Sequence, residues 1–133
     1  MIAYVTLGAE DMDAAERFYS ALLLPLGYML EHYQGDLSFI PPNAPASPDL
    51  YIKRPFNGDP ATPGNGTMVA FEASTPVQVR TLHTAALDAG GTDEGPPGIR
   101  AAYRASFYVA YLRDPQGNKL ALFATADAIQ GAL

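Results

Sequence analysis

The chain has 133 residues, 48% hydrophobic and 17% charged, enough for one domain with its own core and too short for a multi-domain enzyme. Fourteen acidic against eight basic side chains give a net charge of -6, so no surface-wide positive field exists to neutralise phosphates, and nucleic acid is not an expected partner. With no cysteine, disulfides, thiolate metal sites and cysteine nucleophiles are all excluded.

From Met1 the chain passes into the alternating run Ile2–Leu7, whose period of two predicts a strand, with no basic n-region or apolar h-region before it. No unbroken apolar run reaches membrane length, and a soluble cytoplasmic protein without membrane contact is expected. A helix is predicted next, with Asp11 as N-cap, Asp13 in the first turn and Met12, Ala15, Phe18, Tyr19, Leu22 and Leu23 at helical spacing. Shorter strands are expected at Gly27–Tyr33, Leu37–Ile40 and Leu50–Lys53. Seven of the twelve prolines fall between Pro41 and Pro63, which marks the middle of the chain as loop and connector. A second strand is expected over Thr67–Ala73, then a helix with Thr75 as N-cap, Pro76 at its first position, Val79, Leu82 and Ala86 on its buried stripe and Gly90 at its C-terminal cap. A weak strand after Gly91 and two more at Phe107–Arg113 and Lys119–Phe123 follow. The last two are joined by Asp114-Pro115-Gln116-Gly117-Asn118, a hairpin turn that should set Tyr111 opposite Ala121 and Arg113 opposite Lys119.

The two halves superpose at an offset of 64: Tyr4 falls on Met68, Val5 on Val69, Leu7 on Phe71, Asp11 on Thr75, Phe18 on Leu82 and Gly27 on Gly91. The expected architecture is α+β with two βαβββ modules, about 1–55 and 67–125, joined by a proline-rich connector at about 56–66 within a single domain. The segments Val5-Thr6-Leu7-Gly8 with Asp11, Arg17-Phe18-Tyr19-Ser20-Ala21, Pro25-Leu26-Gly27-Tyr28, the run from His83 to Gly91 and the closing Asp114–Asn118 turn together resemble the vicinal oxygen chelate superfamily, the glyoxalase, bleomycin-resistance and extradiol dioxygenase group. The resemblance spans nearly the whole chain. It implies a half-open barrel around one pocket, with a divalent metal held by His, Gln or Glu side chains from the first and fourth strands of each module, and it implies a homodimer.

Carried over position by position, the implied metal ligands fall on Tyr4, about Tyr51, Met68 and Ala121. Two phenols, a thioether and a methyl group are not a divalent donor set, so no metal and no other cofactor is expected. Residues two apart on a strand share a face, which places Thr6 with Tyr4, and Glu72 with Met68. Tyr4, Thr6, Tyr51, Met68, Tyr111 and Ala121 are therefore the expected ligand-binding residues around one shared concavity, and Glu72 is the catalytic candidate.

Each of these residues also has a plainer reading. The tyrosines either fill the barrel or contact a ligand; Glu72 either pairs with Lys119 or Lys53 at the rim or acts as a base. His83 fits a packing or exposed role, His32 either the pocket mouth or surface, and Arg100 with Tyr103 either a closing loop or a solvated one. The function expected is small-molecule binding, or metal-free action on an apolar or aromatic compound. The alternative is a metal-dependent lyase, isomerase or dioxygenase of the same superfamily.

Overall fold

The computed structural model describes residues 1–125, beginning with β1 (Tyr4–Gly8). Asp11 then caps α1 (Met12–Leu23), its carboxylate accepting the Ala14 N–H at 3.0 Å, and the stripe Ala15, Phe18, Tyr19, Leu22 and Leu23 is buried. A single 3₁₀ turn over Leu24–Leu26 closes on Gly27, whose φ of 92° is a left-handed conformation open to glycine at little cost. Strands β2 (Met29–Tyr33), β3 (Asp36–Ile40) and β4 (Asp49–Lys53) complete the first module.

The second module repeats the order with β5 (Val69–Glu72), α2 (Pro76–Asp88), β6 (Thr92–Ile99), β7 (Phe107–Arg113) and β8 (Lys119–Thr125). Thr75 caps α2 by accepting the Gln78 N–H at 3.1 Å, and Pro76 occupies the first turn, where its missing N–H costs nothing. The two four-stranded sheets have the same strand order, β1-β4-β3-β2 and β5-β8-β7-β6, and in each the first strand runs parallel to the last. This is the α+β arrangement of two βαβββ modules, with the sheets left open.

Most strand ends shift by one or two residues from the sequence reading, and three differences have a physical reason. β1 and β5 are shorter than the alternating runs that announce them, because the ladder with β4 takes in only Tyr4–Gly8 and the ladder with β8 only Val69–Glu72. Met68 consequently precedes β5 instead of lying within it. β6 is longer than a weak strand despite Pro96 and Pro97. It is the edge strand of its sheet and its register slips between Asp93 and Gly95 and again between Gly95 and Gly98, so prolines that donate no hydrogen bond are accommodated.

Each helix covers one face of its own sheet, the helices contact each other, and one apolar core runs from Leu7, Phe18 and Ile52 to Phe71, Leu112 and Leu122. The junction is close: a Cβ on Gly91 would stand 2.7 Å from a Phe18 ring carbon. Polar groups tie the modules as well. The buried Asn118 side chain donates to the Gly8 carbonyl at 2.9 Å and to Asp114 at 2.9 Å. On the other face of each sheet no helix among the described residues packs, and there Tyr4, Thr6, Ala70 and Glu72 are exposed.

Candidate functional site

The open face of the first sheet carries a recess of about 920 Å³ lined by Tyr4, Thr6, Tyr51 and Lys53 on one side and by Arg54 and Phe56 of the connector on the other. The β1–β4 register sets Thr6 beside Tyr51 and Tyr4 beside Asp49, making Tyr4 and Tyr51 diagonal neighbours on one face. Their ring centroids lie 5.1 Å apart at 41°, within the range of attractive aromatic contact. Tyr4 is nonetheless 60% exposed, so this pair presents ring surface to whatever enters.

Met68, Glu72, Tyr111 and Ala121 line a second recess, of about 300 Å³, on the open face of the other sheet, together with Arg104 and Phe107. Tyr111 does stand opposite Ala121, and Arg113 opposite Lys119. The Tyr111 ring carries cations at its face, Arg100 at 5.6 Å and Lys119 at 5.3 Å from the centroid. Desolvation, and then the neighbouring Tyr103, hold the Tyr111 hydroxyl above its usual pKa against the opposing pull of Arg100. Arg100 also donates to the Pro96 carbonyl at 2.7 Å, which holds its side chain against β6.

The residues expected around one shared concavity divide here between two recesses, those of the first module lining one and those of the second the other. Each sheet packs its own helix, and the two helices meet at the module junction. Glu72 is exposed and forms no ion pair among the described residues, and Lys53 is instead 3.5 Å from Asp36. Both histidines are engaged elsewhere. His32 meets Glu16 of α1 at 2.8 Å, and the buried His83 meets Asp93 at 3.1 Å.

Tyr4 and Tyr51 belong to one recess and Met68 and Ala121 to the other, and among the described residues no three His, Cys, Asp or Glu side chains converge. Sequence reasoning passed over Arg54 and Phe56, which stand in what reads as a linker. An aromatic residue flanked by a cation just after a strand was the available signal. No helix among the described residues is long and apolar enough to cross a membrane.

No protein-family model matches the chain, and no curated protein does. Among solved structures it is similar to a glyoxalase/bleomycin resistance protein from Albidiferax ferrireducens T118, with 36% identity, a TM-score of 0.82 and coverage of 93% of this chain and 98% of the other. A glyoxalase-related enzyme from Fulvimarina pelagi shares the fold at 20% identity and a TM-score of 0.75, over 94% of this chain and 88% of that one. The fosfomycin resistance protein FosX from Listeria monocytogenes does so at 13% identity and a TM-score of 0.68, over 100% of this chain and 98% of its own.

Proposed function

The chain belongs to the glyoxalase/bleomycin resistance protein family, and we propose that it is a small-molecule-binding member that takes an apolar or aromatic compound without a metal. The observation that carries this reading is the Tyr4–Tyr51 pair, two rings 5.1 Å apart at the mouth of a 920 Å³ recess, with Tyr4 left largely uncovered. Exposed aromatic surface of this kind gains from stacking and burial when a flat ligand covers it. Met68, Tyr111 and Ala121 offer a smaller apolar surface on the second sheet, where Glu72 orients the compound or takes up a proton from it.

The functional unit in this reading is a homodimer in the cytoplasm. β1 and β5 each pair on one side only, and Ile2 is exposed beside the first of those edges, surface that a second copy would cover. Native mass spectrometry of untreated protein tests the whole reading, since mass reports ligand, metal and subunit number together. The expected result is a dimer without stoichiometric metal that retains or takes up an aromatic compound. Stoichiometric zinc, nickel, iron or manganese would overturn the metal-free assignment, and a monomer at micromolar concentration would overturn the dimer.

A further inference from the structure

The first recess is lined by two cations, Lys53 and Arg54. Arg54 lines it, is exposed, and makes no hydrogen bond or ion pair among the described residues. Lys53 lines it too and has only a 3.5 Å contact with Asp36, an exposed pair of the kind that contributes little. Three other cations are engaged, Arg113 with Glu94 and the Gly117 carbonyl, Arg80 with the Tyr108 hydroxyl and Arg100 with the Pro96 carbonyl, whereas Arg104 and Lys119 lie over the rings of Phe107 and Tyr111 on the second sheet. The one acidic residue in the recess, Asp59, is turned into its own loop, accepting from the Asn57 side-chain amide at 3.3 Å.

The wall bearing Arg54 and Phe56 is fixed at its far end. Both polar groups of the Ala61 backbone are held, its N–H by Glu10 at 2.8 Å and its carbonyl by the Gln116 amide at 2.9 Å. Glu10 and Gln116 are themselves joined, through the Glu10 N–H, at 2.9 Å. The connector is thus docked against both modules, which holds this wall of the recess in place. Phe56, fully exposed on this wall, adds a third aromatic side chain to the Tyr4–Tyr51 pair.

Resting on the small-molecule reading above, we propose that this recess recognises an aromatic carboxylate, its ring against Tyr4 and Tyr51 and its carboxylate on Arg54 with Lys53 beside it. The planar guanidinium suits a carboxylate because two parallel N–H donors meet two oxygens. A net charge of -6 makes an anion unwelcome over most of the surface, so its binding depends on locally grouped cations such as these two.

Binding of 2-naphthoate and of 2-naphthamide, nearly equal in ring and shape but different in charge, separates the contributions. Titration of the full chain by fluorescence or calorimetry at low salt should show naphthoate tighter by about tenfold, the gain expected of one charge-assisted contact. That advantage should shrink at high salt. Arg54→Gln should weaken naphthoate far more than naphthamide and bring the two affinities close together. Equal affinities in the unsubstituted protein would overturn the carboxylate assignment and leave the aromatic pocket standing. A carboxylate preference that survives both Arg54→Gln and Lys53→Gln would also overturn it, by placing the anion elsewhere. No binding of either compound, with no shift of the Tyr4 and Tyr51 amide resonances, would overturn the pocket reading itself.

Discussion

The Tyr19 hydroxyl, on α1 of the first module, donates a 2.5 Å hydrogen bond to the carboxylate of Asp114, in the last hairpin turn of the second, and both residues are buried. Asp114 accepts three further bonds, from the Gln116 and Asn118 backbone N–H groups and the Asn118 side chain, each at 2.9 Å. A buried carboxylate with four donors is stable only while they all remain. Tyr19→Phe keeps the ring and removes one donor, and should lower unfolding free energy by about 1.5–3 kcal/mol. Asp114→Ala strands several donors at once and should cost more than Tyr19→Phe. Urea denaturation of the two variants checks the order, and a neutral Asp114→Ala would remove the turn from any role in joining the modules.

The same contact sets a pH dependence. Burial first, and then the Asp114 charge and the hydrogen bond to it, hold the Tyr19 pKa well above its ordinary value. The folded state therefore favours the protonated hydroxyl, so its contribution is complete below the unfolded pKa of about 10 and is lost as pH rises beyond it. Burial raises Tyr28 in the same direction, so part of the effect should persist without Tyr19. The urea midpoint should fall above about pH 10, and should fall less steeply in Tyr19→Phe. Identical slopes for the two proteins would show that Tyr19 does not titrate with unfolding.

Local signals in the sequence carried the fold. Asp11 and Thr75 cap the two helices, and the Asp114–Asn118 turn sets Tyr111 opposite Ala121, because caps and hairpin registers depend on residues a few positions apart. The 64-residue offset identified the repeated module for the same reason. Contacts between modules were not legible. Tyr19 reads as one more residue of an apolar stripe and Asp114 as a turn residue, and nothing in their spacing of 95 positions announces that they meet. The partition of Tyr4 and Met68 between two recesses is equally hidden, since alternation assigns a side chain to a face of its sheet but says nothing of how two sheets are set against each other. Arg54 and Phe56 went unnoticed because proline-rich composition marks a connector without saying that it is docked.

Gly91 tests the closeness of the junction. A Cβ there would meet a Phe18 ring carbon at 2.7 Å, the Ala86 carbonyl oxygen at 2.9 Å and the Arg113 carbonyl oxygen at 3.1 Å, two of which are backbone and cannot swing away. Gly91→Ala should therefore destabilise by about 1–3 kcal/mol through overpacking. Gly35→Ala meets no atom within 4 Å and carries only the strain of a φ of 87°, about 1–2 kcal/mol. Adding Phe18→Leu should recover part of the loss at Gly91 and none at Gly35, as read from thermal melting; the absence of recovery would place the strain in the backbone alone.

Chelation should leave the protein unchanged. A metal bound only by the folded state would raise its stability in proportion to occupancy, so removing it would lower Tm. With Tyr4, Tyr51, Met68 and Ala121 at the positions where ligands are implied, dialysis against EDTA should not move Tm, and added zinc, nickel or manganese should not raise it. A drop restored by one of these ions would reinstate the metal-dependent alternative.

Substitutions at Tyr4 and Tyr111 separate ligand contact from packing. Tyr4 is 60% exposed, so truncating it to Ala should change stability by no more than about 0.5 kcal/mol, as for most surface positions. If its ring meets a ligand, the same change should weaken binding of an aromatic compound far more than it affects folding, and should leave Tyr51 without its 5.1 Å partner. Tyr111 is half-buried between two cations, and its truncation should cost more in stability than that of Tyr4 and less than the roughly 3–5 kcal/mol of a core aromatic such as Phe18. Tyr→Phe at each position keeps the ring and removes only the hydroxyl, so affinity retained in the Phe variant and lost in the Ala variant identifies stacking, whereas affinity lost in both identifies a hydrogen bond. Calorimetric titration beside urea denaturation reads both quantities on the same samples. Should Tyr4→Ala leave aromatic affinity intact, the open face of the first sheet is not where the ligand sits, and the smaller recess around Met68, Glu72 and Tyr111 becomes the site to test.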